Sequence, residues 1–139
     1  MTQPELHDLL EQSAALHDHL CPRQVLGVRM GIYAAQLLNV PYPQRDKRLY
    51  TFVETDGCFA DGIAVATGGR LGHRTLRLMD YGKVAASFVD TLTDTAVRIR
   101  PNLTIRERAC YYSSVDRSRW HLQLAAYQKM PLYVLFGVV

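Results

Sequence analysis

Residues Leu49 to Thr75 read LYTFVETDGCFADGIAVATGGRLGHRT, and three kinds of backbone follow one another within them. Leu49 to Glu54 (LYTFVE) is rich in β-branched and aromatic residues and reads as a strand. Cys58 to Thr67 can close as a short helix carrying Ile63, Val65 and Ala66. Gly68, Gly69 and Gly72 then forbid regular structure and call for a tight connection. The same stretch holds Asp56, Cys58, Asp61 and His73, residue types that ligate metals or carry protons. Because loops at strand ends are where sites commonly lie, a site is expected just after the strand.

Toward the C-terminus, Thr75 to Asp80 and Lys83 to Asp90 read as two strands, with Tyr81-Gly82 as the turn of a hairpin. Ala96 to Arg100 reads as another strand before Pro101. Thr104 and Glu107 have capping-box spacing for a short helix through Cys110. Asp116 can cap a final helix with Trp120, Leu124 and Tyr127 on one face, and Pro131 stops it. The closing LYVLFGVV (132–139) is almost wholly apolar and predicts a strand in the interior of a sheet or at a dimer contact.

Toward the N-terminus, NVPYPQRDKR (39–48) is a loop with two prolines. Before it lie two helices. Thr2 and Glu5 have capping-box spacing, with Pro4 in the first turn, for a helix over about residues 3–17. Pro22 opens a second helix through Leu26, Met30, Tyr33, Ala34 and Leu37 to about Leu38. Proline disfavours helical geometry in the residue before it, so Cys21 sits at the break, next to a helix N-terminus whose field favours an anion. Together these elements predict a single α+β domain over residues 1–139, with a mostly antiparallel sheet flanked by N-terminal and C-terminal helices.

With 139 residues and 48% hydrophobic content, the chain can bury one core without staples. A formal charge of +3, with the basic residues scattered apart from Arg98 to Arg119, does not call for nucleic acid, and no stacking motif is interleaved there. No apolar run reaches a membrane span, and the acidic, amphipathic N-terminus is unlike a signal peptide, so a cytoplasmic protein is expected. Cys21, Cys58 and Cys110 are odd in number and far apart, which suits reduced thiols.

His17, His19 and Cys21 alternate over five residues, and an extended or turn segment would point all three to one side, as a metal requires. Cys58 sits in DGCxxDG, where the plainer reading is a buried cysteine between two Asp-Gly turns. His73, between Arg70 and Arg74, suits an anion-contacting turn as well as a ligand. Cys110, His7 and His121 lie in amphipathic helices away from these clusters and read as structural.

HDHLCPRQVLGVRMG, ETDGCFADGIAVATGGRLGHRTL and DYGKVAASFVDT, taken in this order, resemble the core domain of the FmdE family, named for the FmdE component of formylmethanofuran dehydrogenase. The resemblance runs from about His17 to Arg100. The family pattern is close to HGHxCPG, then DGCxxDGIQxxTGCTxGxG, then YGKxA. It implies an α+β core found in homodimers, and it marks His17, His19, Cys21, Asp56, Cys58 and Asp61 as pocket and metal residues, with Tyr81 and Lys83 nearby. Three positions depart: Asp18 stands for a glycine between the histidines, Arg23 for the glycine after Cys-Pro, and Gly69 for the cysteine of TGC, which removes one thiol. Longer members carry a C-terminal zinc finger; with no cysteine after Cys110, none is expected here.

The expected chemistry is a divalent transition metal, zinc first with nickel or iron as alternatives, held by His17 and His19 imidazole and by Cys21 or Cys58 thiolate. Asp56, Asp61 and Lys83 are the candidate catalytic residues around it, acting on or binding a small molecule. The alternative is a non-catalytic homodimeric accessory or assembly subunit of a molybdenum or tungsten oxidoreductase; the family name points to one-carbon metabolism. Neither reading involves nucleic acid or a membrane.

Overall fold

The structure is a computed structural model and describes residues 4–114 and 118–139. Helix α1 (Leu6–His17) and helix α2 (Pro22–Leu38) lead into strand β1 (Leu49–Val53), helix α3 (Cys58–Thr67) and strand β2 (Leu76–Leu78). Strands β3 (Ala86–Asp90) and β4 (Thr95–Pro101) follow, then a short helix α4 (Ile105–Arg108) that tightens into a 3₁₀ turn over Ala109–Tyr111. Helix α5 (Arg119–Tyr127), a single turn α6 (Leu132–Leu135) and strand β5 (Phe136–Val138) close the chain. The sheet order is β2-β1-β3-β4-β5, with only the β1–β2 pair parallel. This is an α+β fold with a mostly antiparallel mixed sheet.

The expected hairpin at Tyr81-Gly82 is not what forms. β2 pairs in parallel with β1, Thr51 opposite Leu76, and β1 lies between β2 and β3. The reason is α3: a chain that leaves a strand through a helix returns in the same direction, so the connection yields a parallel neighbour rather than a hairpin. The Tyr81-Gly82 turn instead hangs on the end of β1, where the Glu54 carbonyl accepts the N–H groups of Tyr81 (3.0 Å) and Lys83 (3.1 Å). The apolar tail is also corrected. Leu132–Leu135 winds into a helical turn, and only Phe136–Val138 pairs, as an edge strand on β4 rather than in the sheet interior. The expected caps at Thr2 and Asp116 lie outside the described residues; α1 starts after Glu5, and Ser118 caps α5 by accepting the His121 N–H. Trp120 is exposed, while Ala126 and Tyr127 form the buried part of that helix.

Helix α2 is the centre of the core. Its Val25, Val28, Met30 and Ala34 are fully buried, and the β1 and β3 faces contribute Val53 and Phe88 to the same cluster. Arg29 fixes the C-terminal helix to α2 by donating from Nη1 to the carbonyls of Tyr127 (2.8 Å) and Met130. Among the described residues no helix is long and apolar enough to cross a membrane.

Among the described residues the most extensive packing of two elements is α2 on α3, and glycine makes it close. A Cβ on Gly27 would stand 2.3 Å from the Phe59 carbonyl oxygen, and one on Gly62 would stand 2.6 Å from the Gln24 carbonyl oxygen. Farther along, Gly31 faces Ala66. Contacts that advance together along both helices mean that the two run in the same direction, so their N-termini share one end.

Candidate functional site

That shared end brings Cys21 and Cys58 together. Cys21 is the N-cap of α2, with its extended backbone set by Pro22, and Cys58 is the first residue of α3, after Gly57 at φ 88°. The Cys21 N–H donates to Gln24 Oε1 at 3.0 Å, and Gln24, fully buried, reaches back from Nε2 to the Ser13 carbonyl. Gln24 thus ties α1 to the Cys21 backbone at the start of α2. Its signal in the sequence is positional: Gln24 is the N3 residue after the Cys21 N-cap, where a glutamine side chain closes a capping box.

Helix α1 supplies the third side chain. His17 is its last residue, and its imidazole lies between two partners: Nε2 is 2.5 Å from Asp61 Oδ2, and Nδ1 is 3.8 Å from Cys58 Sγ. An Nε2–H donated to the carboxylate leaves the Nδ1 lone pair facing the thiol. Burial pushes the Cys58 thiol up, the adjacent Cys21 adds to the rise, and the Asp61 charge works in the same direction. The carboxylate, imidazole and two thiols form one chain of contacts from three helices.

His19 does not join them. Asp18 ends α1 in the left-handed region at φ 62°, which breaks the expected alternation; the exposed His19 turns its Nδ1 toward the His17 carbonyl at 2.9 Å. This backbone also explains the glycine usual there, since glycine enters that region freely and aspartate is one of the few other residues that does so at modest cost. Asp56 is exposed on the turn before Gly57. Lys83 is exposed too, and lines a different cavity together with Arg23 and Arg106. His73 sits with Arg45 and Arg70 beside the C-terminal end of α3. Gly69 lies at that same end, about 15 Å along the helix from Cys58, so a thiol there would not reach this group. His7 pairs with Glu11 on the surface, and Cys110 is exposed.

Two thiols and an imidazole are donors for a late first-row transition metal. The His17–Cys58 spacing is close to the roughly 3.6 Å that separates two ligands on a tetrahedral zinc ion. A carboxylate on the far imidazole nitrogen is the usual outer partner of a metal-bound histidine. Among the described residues, however, no three His, Cys, Asp or Glu side chains are arranged as a finished ligand cage. The donor chemistry and the pairwise spacing fit a metal; a third ligand would have to close on it.

The sequence matches the model of the family described as "FmdE, Molybdenum formylmethanofuran dehydrogenase operon" over residues 16–136. The chain belongs to the FmdE family. A tungsten formylmethanofuran dehydrogenase FmdE-like protein of known structure, from Syntrophus aciditrophicus, superposes with a TM-score of 0.70 at 18% identity. The alignment covers 100% of this chain and 76% of that one, and it shows a shared fold. A protein of Archaeoglobus fulgidus named as a probable S-adenosyl-L-methionine-binding protein is 35% identical over 103 residues. That match covers 72% of this chain but only 28% of the relative, so this FmdE-family chain spans little more than a quarter of the curated protein it resembles.

Proposed function

We propose that this FmdE-family chain holds a divalent transition metal, zinc first with nickel or iron as alternatives, at the junction of α1, α2 and α3, and presents it to a small molecule. The observation that carries the reading is His17 held between Asp61 and Cys58. In this reading Cys58, Cys21 and the Nδ1 of His17 are the ligands. The bound ion would supply Lewis acidity toward a small ligand or water.

The chain's own residues do the rest. Asp61 accepts the Nε2–H hydrogen bond and fixes the tautomer and ring orientation of His17, which makes it a positioning residue in this reading. Cys58, held protonated by burial, releases its proton when it ligates, so loading is favoured by rising pH. Asp56, exposed on the turn before α3, is assigned the exchange of protons with solvent. Lys83 lines another cavity, and this reading assigns it no role.

Metal content and a zinc titration of the purified chain, of His17→Ala and of Cys58→Ser test the reading. Stoichiometric zinc in the parent protein, lost in both variants while His19→Ala keeps it, is expected. Equal zinc in all four proteins would sink it. The second reading, an accessory subunit that pairs with itself and with a larger oxidoreductase, is supported by the operon in the family description and by the exposed Val138 on edge strand β5. A monomer in light scattering that captures no cofactor-bearing partner would remove it.

A further inference from the structure

A second concavity, unrelated to the thiols, has a volume of about 450 Å³ and lies beside the first turn of α2, the turn after β2 and helix α4. Its charged lining is Arg23, Lys83, Arg100 and Arg106, with Arg98 as a fifth cation. Arg98 is already satisfied by a bidentate pair with Glu54, at 2.7 and 2.8 Å. Among the described residues none of the other four is in an ion pair, and the lining includes no carboxylate. Four cations with no ion-pair partner among the described residues thus surround one hollow, in a chain whose formal charge is only +3.

Such a grouping is not dictated by sequence proximity. Arg23 comes from α2, Lys83 from the turn hung on Glu54, Arg100 from β4 and Arg106 from α4, and the fold gathers them. Like charges collected around a concave surface repel one another and focus a positive potential into it, which favours an anion there. The floor is apolar: Leu26, Ile105 and the buried Tyr127 line it. Burial pushes the Tyr127 phenol up, with the Arg106 charge opposing, so the ring presents an O–H rather than a second anion. The volume falls within the range of small-ligand cavities.

We propose that this cavity binds a compact polyanion bearing phosphate or carboxylate groups, with Arg23, Lys83, Arg100 and Arg106 contacting the charged groups and Leu26 and Ile105 packing against an apolar portion. Guanidinium groups grip either kind of oxyanion in a planar, bidentate fashion, so the two sources share one chemistry. The site uses none of His17, Cys21 or Cys58, and it stands or falls independently of the metal reading.

The test is isothermal titration calorimetry of the full chain, dialysed free of metal, with pyrophosphate and separately with citrate at low salt. Saturable binding at one site per chain is expected, weakened about tenfold or more by Arg106→Ala and by Lys83→Ala, as loss of a charge-assisted contact implies. Arg106→Lys should recover part of the loss, and Arg77→Ala, exposed and outside the cavity, should change affinity by less than about twofold. Arg106 and Lys83 are exposed, so unchanged circular dichroism should accompany the loss. Pyrophosphate binding alone names phosphate, citrate binding alone names carboxylate, and binding of both sets the class by charge. No saturable binding of either, or equal weakening by Arg77→Ala, overturns the proposal.

Discussion

The two ends of α3 receive very different company. At its N-terminal end Cys58 and Asp61 meet His17 from α1 and Cys21 from α2, with one imidazole in contact with both a carboxylate and a thiol. At its C-terminal end Gly68 and Gly69 turn the chain into an exposed loop, where His73 and Arg70 border an open hollow. In the sequence these groups are neighbours within one motif-rich stretch; in space a helix of about 15 Å separates them. His17, far upstream, contacts Cys58, whereas the glycine loop begins at the opposite end of α3. A shared stretch of sequence is therefore not a shared site when a helix intervenes.

The contrast depends on the close crossing of α2 and α3, so the strongest way to break it is Gly27→Val. The added carbon atoms have no room beside the Phe59 carbonyl, and thermal unfolding should report a loss of about 3 kcal/mol. Zinc retention should fall with it, because Cys21 and Cys58 can no longer share an end. Retained stability would mean that the helices can slide apart without cost. Next comes Asp61→Asn. A carboxamide holds His17 more weakly, and zinc affinity should drop about tenfold with little change in melting temperature. An unchanged affinity would leave Asp61 with no positioning role.

The thiols sharpen the comparison through pH. Cys58 has a folded pKa raised above the unfolded value, so its contribution to stability is fully present below about pH 9 and is lost as pH rises through the folded value. The metal-free chain should therefore lose stability above about pH 9, and Cys58→Ala should flatten that decline; denaturant melts from pH 7 to pH 10 decide it. In alkylation at pH 8, the exposed Cys110 should react before Cys58. The smallest effect belongs to the other end of α3. In Gly69→Cys the Cβ meets Thr67 Oγ1 at 3.2 Å and Leu76 Cβ at 3.3 Å, so neighbours must give slightly, at a cost of about 1 kcal/mol. Zinc binding should not move. A gain of affinity would show that the loop reaches the thiols after all.

Most elements were legible in the residues. Pro22 marked the start of α2, Gly68 marked the end of α3, and the chain forms both helices with the expected limits, Pro22–Leu38 and Cys58–Thr67. These signals are local: a missing N–H, a fixed φ, a residue free to enter the left-handed region. The fold class followed from them. Of the cluster at the junction of α1, α2 and α3, His17, Cys21, Cys58 and Asp61 stood out by residue type and by family resemblance. Their geometry did not, and neither did the departure of His19, because it turns on one left-handed backbone at Asp18.

What the sequence by itself determined, then, is a set of helices and strands with their punctuation, and the presence of thiols, imidazoles and carboxylates near helix ends. Only the tertiary structure decided that β2 runs parallel to β1, that α2 and α3 cross with their N-termini together, and that four separate cations face one hollow. The physical reason is range. Caps, turns and periodicity act within a few residues, whereas the meeting of His17 with Cys58, or of Arg23 with Arg106, depends on which helix faces can approach closely. For α2 and α3, whose N-termini carry Cys21 and Cys58, the absence of a side chain at Gly27 and Gly62 allows that approach.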